Sequence, residues 1–144
     1  MAELTDINKR NSFTFKVIRY QNKNEAWFLA KVNLKEDENN INGSVSFNIN
    51  DYVALTEGIT HLLSENNLFF TFEFLEPYLK MIIKKTDNQF AFDIFYNKGP
   101  IFNDSGYIEL NILTSKENMI RFINEVGKEL RSLDPHLKLG KIHL

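Results

Sequence analysis

Cysteine is absent from the 144 residues, so no disulfide staples the chain and no thiolate can hold a metal. Long apolar runs are missing too, and nothing approaches the roughly 20 residues that span a bilayer. The opening MAELTDINKRN has neither a basic stretch nor an apolar one. That pattern sets the expectation of a chain without a secretory signal, at work in the cytoplasm. The most informative scarcity is local. Between Lys35 and Lys80 there is no lysine or arginine.

That window holds Glu36, Asp37, Glu38, Asp51, Glu57, Glu65, Glu73 and Glu76 with no internal compensation. The flanks are correspondingly basic, so the formal net charge of −2 hides an uneven distribution. The window reads in two ways. It is either a solvated skin that aids solubility or a field aimed at a basic macromolecule, because clustered like charges raise association rates and select partners of opposite sign. On the second reading all eight carboxylates are candidate partner-binding residues.

The length and the 43% apolar content fit one domain over residues 1–144 with a core of its own. SFTFKVIRY at residues 12–20 alternates Phe13, Phe15 and Val17 with polar neighbours, the period-2 mark of a half-buried strand. AWFLAKVNL at 26–34 is its hairpin partner across QNKNE, and KEDENNING follows as a loop. GSVSFNI at 43–49 is a third strand. Asn50 or Asp51 supplies the cap for a helix with Leu55, Ile59, Leu62 and Leu63 at helical spacing, and Asn66-Asn67 closes it.

Residues 68–75 form a strand with Leu68, Phe70, Phe72 and Phe74 on one face. Residues 78–85 and 89–96 make a further hairpin, KGPIFNDSG is a longer loop, and 106–113 is the last strand. Thr114 and Glu117 fit a capping box before the stripe Met119, Ile120, Ile123, Val126, Leu130 and Leu133, which Asp134-Pro135 stops. The order β-β-β-α-β-β-β-β-α with short turns implies α+β: a mainly antiparallel, strongly curved sheet of about six or seven strands packed with two helices.

Chemistry is hard to find. His61, His136 and His143 lack the ligand spacing of a zinc site, and neither a nucleophile elbow nor a phosphate-binding glycine loop occurs. Ser105 in NDSG reads as a turn residue. Glu73 and Glu76 stand three apart in extended chain and point to opposite faces, so they do not make an acid–base pair. The expectation is a non-enzyme without cofactor or metal. Aromatics on a sheet can stack bases, but here they lie in the acidic window, which repels phosphate; the expected partners exclude nucleic acid and membrane.

FEFLEPYLKMIIKK, residues 72–85, resembles the WapI-type immunity proteins of bacterial polymorphic toxin systems. The likeness extends over most of residues 13–137: the opening strand pair SFTFKVIRY and EAWFLAKVNL, an acidic loop and helix, the Glu76-Pro77 step in FLEPYL, and a last helix ending in SLDPHL. KLGKIHL after it has no counterpart in that pattern. The resemblance implies an immunity protein that binds and neutralises a cognate toxin domain in the cytosol, commonly a nuclease. Nuclease domains tend to be basic, which suits an acidic partner surface. The alternative is a small-ligand-binding or sensory module with a pocket between the curved sheet and the first helix, which would need a sizeable apolar cavity.

Overall fold

A computed structural model describes residues 1–64, 67–97 and 107–143. The first four strands, β1 (Ala2–Thr5), β2 (Asn11–Asn22), β3 (Trp27–Glu36) and β4 (Asn39–Asn48), pair in chain order as one antiparallel sheet. Helix α1 (Ile49–Ser64) follows. The next four strands, β5 (Phe69–Glu73), β6 (Leu79–Thr86), β7 (Gln89–Asn97) and β8 (Tyr107–Ser115), form a second antiparallel sheet in chain order, and α2 (Lys116–Leu133) completes the fold.

The class is α+β with two helices, as the alternation implies. Two features extend that reading. The strands number eight among the described residues, and they divide between two sheets rather than one. β1 has four residues, too few to show a period, yet Ala2 and Leu4 face inward and Ala2 pairs with Phe15. Helix α1 connects β4 to β5 and contacts both where the chain passes from one sheet to the other. On the other side the sheets meet where the Ile7 amide donates to the Leu113 carbonyl at 2.9 Å.

KEDENNING is not a loop. Asp37 and Glu38 are the two turn residues of a hairpin in which Glu36 faces Asn39 and Val32 faces Gly43. Asparagine is a poor strand former, but here the side chains supply their own cross-strand bond: Asn33 Nδ2 donates to Asn42 Oδ1 at 2.8 Å. Asp37 adopts φ 52°, a left-handed conformation that aspartate tolerates better than most non-glycine residues.

The core lies between the inner faces and the helices. Phe15 meets Phe47 edge-on at 5.3 Å and Phe74 at 6.3 Å, so one ring joins both sheets, while Phe13 packs on Phe122 of α2 at 6.0 Å. The apolar space that Tyr52 and Leu55 share with these rings is nearly filled, leaving a cavity of about 20 Å³. It does not provide the sizeable pocket that a ligand-binding module would need between sheet and α1. Gly58, which weakens a helix by propensity, makes room for an aromatic: a Cβ there would stand 2.0 Å from the Phe70 ring. Of the expected inward stripe on β5, Phe72 and Phe74 are buried and Phe70 half-buried. Leu68 precedes the strand and is 71% exposed.

Both helix starts move by one or two residues. The α1 cap is Asn48, whose Oδ1 accepts from the Asn50 amide at 2.9 Å, while Asp51 accepts from the Asn48 amide at 2.8 Å; together they form a capping box. At α2 the cap is Ser115, which accepts from the Asn118 amide at 3.1 Å. Thr114 still belongs to β8, because its backbone pairs with Phe90. Its hydroxyl is buried and has no partner among the described residues. Asn66, Ser105 and the expected loop at 98–106 lie outside the described residues.

The two readings of this cap separate by mutation. Removing an unsatisfied buried hydroxyl stabilises, so Thr114→Val should raise the unfolding free energy by about 1 kcal/mol. Ser115→Ala should lower it by about 1 kcal/mol, the usual worth of a cap. Urea titration checks both, and a loss in the valine variant would return the cap to Thr114.

Candidate interaction surface

Folding breaks the linear acidic window into separate places. Glu36, Asp37 and Glu38 stand exposed at the tip of the β3–β4 hairpin. None of the three forms an ion pair among the described residues. The other end of β4 leads into α1. Ten residues at about 3.4 Å each put roughly 30 Å between the tip and the start of that helix. This far exceeds the screening length of about 8 Å, so the tip is screened from the acids of α1. Lys35 and Arg10 adjoin it, the Asp37 amide donating to the Arg10 carbonyl at 3.0 Å.

Glu57 is exposed on α1, but it lines a shallow hollow together with Lys141 from the C-terminal segment. Glu73 is exposed on the outer face of β5, with Lys80 as its register partner. Glu76 is half-buried in the β5–β6 connection. Lysines from outside the window are thus neighbours of two of its carboxylates, a proximity that chain order hides. Phe69 and Leu75, each 65% exposed, flank Glu73 and give this region an apolar element. Glu65 lies outside the described residues.

Asp51 leaves the surface altogether, which corrects its reading as a contact residue. It is 3% exposed, and its carboxylate accepts from two backbone amides, Asn48 at 2.8 Å and Leu75 at 3.0 Å. Burial pushes its carboxyl above the ordinary range, and the two amides oppose that shift. The reason it escaped the sequence reading is plain: an acidic residue in a first helical turn looks the same whether it faces water or caps a buried end.

The structure also assembles a cationic face that chain order scatters. Lys16, Arg19, Lys31 and Lys35 are all exposed on the outer side of the first sheet, and Lys16 is the register partner of Lys31. The signal was available in the alternation, since each lysine occupies the polar half of a strand whose other half is core. His61, His136 and His143 are exposed, and no group of His, Asp and Glu suited to a metal occurs among the described residues. No helix among them is long and apolar enough to cross a membrane.

Comparison with known proteins gives one family: the Immunity protein WapI-like family matches residues 4–134. No curated protein and no solved structure matches the chain.

The buried carboxylate yields a pH test. Its folded pKa is raised, so the native state binds the proton more tightly than the unfolded chain. The resulting stability is fullest below the unfolded value and is lost as pH rises through the folded one. Asp51→Asn removes that dependence and presents an NH₂ group to one of the two amides, at a cost of about 1–3 kcal/mol. Urea unfolding at pH 4, 5.5 and 7 should show the gap between wild type and variant widening in acid; a gap that narrows there contradicts the assignment.

Proposed function

The chain belongs to the WapI-like immunity protein family, and from that premise we propose that it binds and neutralises a cognate, basic, nuclease-type toxin domain of a bacterial polymorphic toxin system. It does so without catalysis, in the cytoplasm, by covering the toxin's site or a surface beside it. Such a protein needs a recognition surface and no reacting groups.

The observation that carries the surface assignment is the hairpin tip. Three adjacent carboxylates stand in water there without an ion pair, and Asp37 holds φ 52°, a conformation that glycine would take at no steric cost. Three adjacent carboxylates steer a basic partner, and their effect falls on the association rate more than on the dissociation rate. Glu73 and Glu76 form the second part of the surface, with Glu57 apart on α1, and beside Glu73 the exposed Phe69 and Leu75 supply the apolar anchors that carry binding energy at interfaces.

The test uses the toxin domain encoded next to this chain. Reversal of Glu36, Asp37 and Glu38 to Lys should lower kon about tenfold at low salt, leave koff within about twofold, and lose its effect at high salt. Reversal of Glu73 and Glu76 should slow association less, because Lys80 already faces Glu73. Asp37→Gly keeps the turn while removing one charge, so it separates charge from fold. Unchanged kinetics in the triple variant at low salt would remove the tip from recognition; absence of any complex with the neighbouring domain would remove the immunity reading.

A further inference from the structure

The outward side of α2 carries Arg121, Asn124, Lys128 and Arg131, three or four residues apart and therefore in one row. The segment after α2 turns back along this row. Asn124 holds it by the main chain of one residue: its Nδ2 donates to the Ile142 carbonyl at 2.7 Å, and its Oδ1 accepts from the Ile142 amide at 3.0 Å. A carboxamide that meets both groups of one residue reproduces the pairing of a strand neighbour. The Ile142 side chain packs against the core.

Adjacent side chains of an extended segment point to opposite sides, so Lys141 and His143 turn away from the core. Both line the same cleft as Arg121, Lys128 and Arg131. The cleft holds about 560 Å³, within the range of small-molecule sites. Two carboxylates also border it, Glu117 and Glu125, and Glu125 already stands 3.9 Å from the N-terminal ammonium group. Four lysine and arginine side chains therefore face a hollow bordered by two carboxylates, and Glu125 shares the ammonium group with Glu129 at 3.7 Å. The floor is Ile120 and Ile142, and no Phe, Tyr or Trp lines the cleft. It offers no plate on which a nucleobase could stack.

We propose that this cleft binds a small polyphosphate, two or three linked phosphate groups, with Arg121, Lys128 and Lys141 as its ligands. Arginine offers a planar fork matched to phosphate oxygens, and lysine adds compact point charges. Asn124 is the positioning residue. By fixing Ile142 it sets Lys141 opposite Arg121 before the anion arrives, which reduces the ordering that binding requires. The site uses residues 141 and 143, outside the family match at 4–134, and shares Lys141 with the hollow that Glu57 lines.

Sodium tripolyphosphate is the probe, titrated into the full chain by calorimetry in 150 mM NaCl, with thermal unfolding in parallel. Saturable one-to-one binding and a concentration-dependent rise in Tm are expected. Arg121→Gln and Lys141→Gln should each weaken Kd about tenfold, the scale of a lost charge-assisted contact. Asn124→Ala should weaken it comparably although it removes no charge, with its circular dichroism unchanged. Lys31→Gln on the outer face of the first sheet should leave Kd within about twofold. The proposal fails if no saturable heat appears, if sulfate at matched ionic strength stabilises equally, or if Lys31→Gln costs as much as the cleft variants.

Discussion

Asn48 ends the first sheet and Leu75 follows the first strand of the second, and the amides of both donate to the carboxylate of Asp51. Through that one group the end of β4, the first turn of α1 and the start of the β5–β6 connection are held together. The same joint recurs elsewhere. Asp6 accepts from the Leu113 amide at 2.6 Å where β1 approaches β8, and Glu129 of α2 accepts from the Val17 amide at 3.0 Å beside the bulge in β2. Each carboxylate takes a backbone donor that no strand ladder satisfies, and each links elements far apart in sequence. Charge-assisted bonds of this kind are about twice as strong as neutral ones, and they also fix geometry. Hydrophobic burial holds the layers together, while these three acids set how they meet.

How much of this could be read from the chain follows from the range of each signal. The period-2 pattern of Phe13, Phe15 and Val17 and the helical stripe of α2 depend on neighbours a few residues away, and both were legible. The partition into two sheets was not, because alternation says which residues face inward and nothing about which strands lie side by side. Asn39 to Gly43 looked like a loop because asparagine is a poor strand former, yet Asn33 across the ladder supplied the missing bond. At α2, Thr114 and Ser115 are both competent caps and both pair in the ladder, and what decides between them is that the Ser115 hydroxyl, not that of Thr114, accepts from the Asn118 amide.

The charge pattern shows the same limit more sharply. A window without cations is a statement about order along the chain, whereas a binding surface is a statement about space. A strand of ten residues carries the tip away from α1, Asp51 is drawn inside, and Lys80 and Lys141 come in from beyond the window. What survives is smaller and better defined: three unpaired carboxylates at one tip, and a second region where acid and exposed apolar side chains mix. On the proposed reading this is an economical layout, since the residues assigned to recognition lie on turns and edges that can vary without disturbing the core.

The lysines on the outside of the first sheet have a consequence for the chain as it is made. The first sheet is built from residues 2–48 alone by short hairpins, so any state in which it forms without the second sheet leaves its phenylalanine face bare. Such faces invite stacking between chains. Lys16 set against Lys31, with Arg19 and Lys35 nearby, makes the opposite side repel its like, at a small loss of pairing energy. The face that never enters the core thus protects, by charge alone, the face that is still waiting for its partner.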